Sequence, residues 1–280
     1  DEEPTENPNA SKPRYIWIDA AANFPDFANS KENIARDLAL AKDAGFTDIV
    51  VDVRPTTGDV LFKTNHVDQV KFMYAWIGSN YTKVERTATW DYLQAFVDEA
   101  RKQGLRIHAA INTFVGGNQI DGGTGLLYRD QSKAAWATQM NMQTGITSVM
   151  NTSESAKFFN PAHPEVQTFL CNLLKDLASY DLDGIFLDRG RFLNLQADFS
   201  EESRKQFEAY MGGIKIQNYP DDILAPGASS LPATYPKYMT KWLEFRAKVI
   251  YDFMQKARTA VKEVNSKIKF GVYVGGWYSS

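Results

Sequence analysis

The sequence predicts an α/β fold: a parallel (β/α)8 TIM-type barrel, of which this chain supplies about five strand–helix units. Three observations carry that expectation. Short apolar strands alternate with longer amphipathic helices, which is the pattern of a parallel sheet. Turns from helix to strand are tight, whereas connections from strand to helix are long. A doubly wound open sheet, the competing architecture, needs a phosphate-binding loop between a strand and a helix, and no segment here supplies one.

The first strand is expected over residues 15–19, followed by a helix over 30–44 that includes Leu38, Leu40 and Ala41 and stops at Gly45. Strand two covers 48–54 and ends at Pro55. Trp90, Leu93, Phe96, Val97 and Ala100 recur at helical spacing and predict a helix over 90–103, with Gly104 as its stop. Strand three covers 105–112. Pro164 then opens a helix in its first turn, running to about Tyr180. Strand four covers 184–188. A long helix over 238–264 carries Trp242, Leu243, Val249, Phe253 and Ala257 on one stripe, ahead of strand five at 268–274. The connections 55–89, 113–163 and 189–237 are the long loops from which a barrel builds its active site.

The 280 residues are enough for one barrel domain, here 15–280, which the five-strand count predicts to continue past residue 280. Residues 1–14 are rich in Pro, Asn and Glu and read as a disordered leader; with no initiator Met, they fit an exported protein of the periplasm, cell surface or medium. A net charge of −3 gives no reason to expect nucleic acid as partner. No apolar run is long enough to span a bilayer. Cys171 is the only cysteine, so an intramolecular disulfide or a thiolate zinc site is excluded, and its apolar surroundings predict an inert buried thiol. His66, His108 and His163 lie too far apart to suggest a metal centre. The glycine-rich run Asp121-Gly122-Gly123-Thr124-Gly125 reads as a flexible surface loop.

Side chains alternate along a strand, so each strand sends one parity to the helices and the other into the barrel. The outward set is apolar: Val51 and Val53, Ile107 and Ile111, Ile185 and Leu187. The inward set near the carboxyl ends is Asp19, Arg54, Asn112, Asp188 and Tyr273, with Asp52 and His108 a layer lower. These residues are candidates for chemistry, or, as with Asp52 and Arg54, for a structural ion pair.

Four segments in register resemble glycosyl hydrolase-like family 10, the YngK-type relatives of the α-amylase group of barrels. They are Val51-Asp52-Val53-Arg54-Pro55 with Gly58-Asp59-Val60-Leu61-Phe62; Gly104-Leu105-Arg106-Ile107-His108-Ala109-Ala110-Ile111-Asn112; Asn160-Pro161 with His163-Pro164-Glu165-Val166; and Tyr180-Asp181-Leu182-Asp183-Gly184-Ile185-Phe186-Leu187-Asp188. The resemblance implies a glycoside hydrolase acting on an oligo- or polysaccharide, with no organic cofactor and no metal. By the same analogy Asp188 is the nucleophile and Arg54 keeps it ionised. Asn112 and His108 bond sugar hydroxyls, Asp19 and Arg189 line the binding site, and Tyr273, Trp277, Tyr278 or Trp17 stack a sugar ring.

One departure stands out. The family's second acid after the strand-four Asp is replaced by Arg189. The general acid is therefore unassigned: Glu154, Asp198, Glu201 and Glu202 lie in long loops without a signal to select one, and a position beyond residue 280 is the expectation. The alternative is a catalytically inactive carbohydrate-binding barrel. An aldolase-like barrel would want an inward lysine, and only Lys269 stands near a strand.

Overall fold

The computed structural model describes residues 12–274. Five parallel strands, β1 (Tyr15–Ile18), β2 (Asp48–Arg54), β3 (Arg106–Asn112), β4 (Gly184–Asp188) and β5 (Lys269–Val272), lie side by side in chain order. Their spans agree with expectation to within two residues. Among the described residues the sheet is open, with β1 and β5 as its edges, and a closed barrel is not seen.

The helices are α1 (Lys31–Asp43), α2 (Tyr92–Gln103), α3 (Pro164–Ala178), α4 (Glu201–Tyr210) and α5 (Met239–Val264), and the first four begin at polar side-chain caps, with Pro164 in the first turn of α3. Ser30 accepts from the Asn33 amide and Asp91 from the Gln94 amide, each satisfying a donor the helix itself leaves free. Gly104 ends α2 at φ 67°, a left-handed conformation that suits glycine. The outward parity of the three central strands is wholly buried, as at Ile49, Val51, Ile107, Ala109, Ile185 and Leu187. It meets Leu38 of α1, Phe96 of α2, Leu173 of α3 and Phe253 of α5 in one core. Burying each large aliphatic side chain there contributes about 1.5–3 kcal/mol. A second cluster, built on Phe199, Phe207, Trp242 and Phe245, joins α4 to the first half of α5. Cys171 is half-buried, with burial pushing its thiol up.

The opposite face of the sheet is aromatic. Trp17 lies 5.5 Å from Tyr273 and 6.1 Å from Phe186, ring to ring, and Phe186 lies 5.6 Å from His108. Residues 1–11 of the expected leader lie outside the described residues. Arg14 at its end is not loose: its amide donates to the Thr47 hydroxyl at 2.8 Å and its carbonyl accepts from the Thr47 amide at 2.9 Å.

The long strand-to-helix connections hold structure of their own. A hairpin pairs Phe72–Ile77 with Asn80–Glu85, a ribbon pairs Val115–Asn118 with Ala156–Phe158, and a second hairpin pairs Gln139–Met142 with Gly145–Ser148. The glycine-rich run lies at the surface at Asp121 and Gly122, as expected, but its second half is buried. Thr124 is buried, its hydroxyl donates to the Thr57 carbonyl at 2.8 Å, and Asp121 pairs with Lys83 at 2.7 Å.

Candidate active site

At the carboxyl ends of β1 to β4 the inward side chains enclose a cleft of about 120 Å³. Asp19, Asp52, Asn112, Asp188 and Arg189 line it, with Trp17 on one wall and Met73 of the first hairpin on another. Strand parity brings these together: Asp188 sits directly beside Asn112 in the β3–β4 register, and Asp52 beside Ala110 in that of β2 and β3.

Asp52 is buried, accepting from the Arg54 amide at 3.2 Å. Burial pushes its carboxyl up to about 7, with the Asp19 and Asp188 carboxylates adding to the rise and the Arg54 and Ala20 amides opposing it. Asp188 is half-buried, and its Oδ1 accepts from the Arg189 amide at 2.6 Å. Arg189 adopts φ 47°, a left-handed conformation that costs a non-glycine residue about 1–2 kcal/mol. Asp19 is exposed, and its Oδ1 accepts from the Ala22 amide at 2.8 Å. The Asn112 amide donates to the Arg54 carbonyl at 2.9 Å, which ties β3 to β2 at the floor of the cleft.

Two expected binding residues lie elsewhere. Arg54 is wholly buried and donates to the main-chain carbonyls of Asn112, Thr113 and Val115, so it neither pairs with Asp188 nor meets a ligand. The cause is a shift in register between Asp52 and Arg54, a bulge that removes Arg54 from the face Asp52 occupies. His108 sits at the amino ends of the strands, with Nε2 2.7 Å from Asp48 Oδ1, far from the carboxyl ends where a sugar would lie. Burial raises the Asp48 carboxyl, but hydrogen bonds from Arg106, Thr47 and His108 prevail and hold it at about 2. The other histidines are apart from both: His66 faces Asp176 and His163 caps α3. Tyr273 is exposed beside Trp17, whereas Trp277 and Tyr278 lie outside the described residues. Asp198 is wholly buried and accepts from Thr138, Gln139, Ser200 and Ser203, which makes it the organiser of its loop rather than an acid at the cleft.

The model of the family described as Glycosyl hydrolase-like 10 matches residues 12–279. The chain belongs to glycosyl hydrolase-like family 10. An S-layer-related protein of Niallia circulans is 31% identical over 97% of this chain, which spans only 17% of that protein's length. Among solved structures, α-L-fucosidase isoenzyme 2 of Paenibacillus thiaminolyticus aligns with TM-score 0.59 at 15% identity over 94% of this chain and 33% of its own. The PgaB (BpsB) glycoside hydrolase domain of Bordetella bronchiseptica gives 0.58 at 15% identity over 94% of this chain and 65% of its own. The catalytic domain of β-amylase from Paenibacillus polymyxa gives 0.56 at 14% identity over 92% and 65%. At such identities these structures share the fold with this chain.

In this member of glycosyl hydrolase-like family 10, the feature that sequence reasoning left open is the burial of Asp52. A single acid within Val50-Val51-Asp52-Val53 was the available signal, because a charge inside an apolar strand is seldom buried without a task.

Proposed function

We propose that this chain is a glycoside hydrolase domain in which Asp52 donates the proton and Asp188 is the nucleophile, acting on an oligo- or polysaccharide. Family membership and a fold shared with glycosidases support the reaction class. The observation that carries the assignment is a buried carboxyl raised to about 7 that shares one cleft with a second carboxylate. Two carboxyl groups in different environments are what glycoside hydrolysis requires.

In this reading Asp52 protonates the glycosidic oxygen as the bond to the anomeric carbon breaks. Asp188 attacks that carbon and forms a glycosyl ester, steered by the Arg189 amide on its Oδ1. Asp52, now a carboxylate, takes a proton from water, and the resulting hydroxide equivalent cleaves the ester to return both acids to their starting states. Asp19 at the rim helps keep Asp52 protonated and offers an acceptor for a sugar hydroxyl. Trp17 and Tyr273 offer ring faces for stacking.

The five strands in chain order, with an aromatic face opposite the helices, are read as part of a (β/α)8 barrel whose interior that face lines. No helix among the described residues is long and apolar enough to cross a membrane. The S-layer-related homologue supports a place at the cell surface. Arg189, in place of a second acid beside Asp188, favours one rival: a barrel that binds sugar without cleaving it.

Reducing-sugar release from plant, host and bacterial glycans separates the two. Cleavage that Asp188→Asn abolishes is the expected result. Binding without release, unchanged in Asp188→Asn, would establish the non-catalytic binder instead.

A further inference from the structure

The hairpin that pairs Phe72–Ile77 with Asn80–Glu85 splits its side chains sharply between two faces. Met73 and Ala75 point into the protein and are buried. The other face carries Phe72, Tyr74, Trp76 and, from the return strand, Tyr81. The rings follow one another across it: Phe72 to Tyr74 at 6.1 Å, Tyr74 to Tyr81 at 5.3 Å and Tyr81 to Trp76 at 5.3 Å. Trp76 is 69% exposed and Tyr81 56% exposed, a costly display for a hairpin with no structural need of it.

The stripe is held in place. The Tyr74 hydroxyl donates to Asp121 at 2.8 Å, and the Asn29 amide holds the hairpin base through the Glu85 carbonyl at 2.9 Å. Lys83 pairs with the same Asp121 at 2.7 Å, so the middle of the stripe has no free charge. Phe72, Tyr74 and Tyr81 line a groove of about 310 Å³ together with Asn118, Gln119 and Ser155, and Trp76 continues the stripe outside it from its contact with Tyr81. This groove shares Ala21, Thr56 and Met73 with the acid cleft, so the two are continuous.

The geometry points to an extended subsite: the aromatic stripe and its polar flank hold a chain of neutral sugar units that runs from the acid cleft across the hairpin. A pyranose ring has an apolar C–H face that stacks on an aromatic ring and a belt of hydroxyls that seek donors and acceptors. The residues that line the groove offer both chemistries. The acid cleft itself is too small to hold such a chain. The substrate is accordingly an oligomer or polymer rather than a mono- or disaccharide. This rests on the carbohydrate reading of the cleft, but binding can test it apart from turnover.

Titration calorimetry with hexasaccharides of β-1,4-glucose, β-1,4-xylose, β-1,4-N-acetylglucosamine and α-1,4-glucose, each beside its monosaccharide, is the test. The intact protein should bind at least one hexasaccharide about tenfold or more tightly than the monosaccharide. Trp76→Ala/Tyr81→Ala should lose about tenfold or more of that affinity, while Trp76→Phe/Tyr81→Phe keeps most of it. Unchanged thermal unfolding of the alanine variant guards against a folding defect, since both rings are exposed. Binding without cleavage by the parent would remove the catalytic assignment and leave the subsite standing. No hexasaccharide bound, or equal binding by the alanine variant, would overturn the subsite.

Discussion

Burial and two neighbouring carboxylates oppose ionisation of Asp52, and the protein bears that cost whenever the proton leaves. The folded carboxyl titrates at about 7, against 3.8 in a free chain. A carboxyl raised on folding contributes stability that is complete below the unfolded value and lost as pH climbs through the folded one. Asp52→Asn removes this dependence. Between about pH 4 and about pH 8 the parent should therefore lose roughly 2–4 kcal/mol relative to the variant, as measured by urea unfolding at each pH. An equal pH dependence in both proteins would contradict the burial of a charge at this position. Arg54 teaches the complementary lesson. Alternation along β2 puts it beside Asp52, and a single bulge, invisible in the residue order, sends it to main-chain carbonyls instead.

The five strands and their helices are legible in the sequence because each carries its own local punctuation: the apolar run of β2 ended by Pro55, the helical stripe of α2 stopped by Gly104, the Pro164 start of α3. The ribbons inside the long loops are not legible. Gln139–Met142 is short and of weak alternation, and Val115–Asn118 is short and glycine-rich and pairs with Ala156–Phe158, far along the chain. Gly125 is one such long-range element. An added Cβ there would stand 2.5 Å from the Gly117 Cα and 2.7 Å from the Thr57 carbonyl, at φ 83°. Gly125→Ala should cost about 2–4 kcal/mol in denaturant unfolding and lower turnover, because Thr57 adjoins Thr56 of the cleft. Gly122→Ala, at φ 81° with nothing within 4 Å, should cost only about 1 kcal/mol and leave turnover alone.

Across the whole molecule the two ends of the sheet are given different electrostatic tasks. At the amino ends Asp48 is satisfied by Arg106, Thr47 and His108 and held ionised, which is structural work. At the carboxyl ends Asp19, Asp52 and Asp188 share one cleft, and burial together with the other two carboxylates raises the Asp52 carboxyl. The sequence names Asp188 and Asp19 as strand-end acids. The proposal that Asp52 is the proton donor rests on the fold rather than the residue order, because its carboxylate neighbours come from separate strands. The family likeness suggests sugar chemistry, and the aromatic hairpin suggests how a chain of sugars would be held.

The most direct test is the pH dependence of kcat/KM on the best glycan. The parent should lose activity as pH rises through about 7, because Asp52 must carry its proton. Asp19→Asn, which removes a neighbouring charge, should move that limb to lower pH. Asp52→Asn should abolish the limb and cut the rate about 10²- to 10⁴-fold. A limb that persists in Asp52→Asn at near-parent activity would place the proton donor elsewhere and contradict the account.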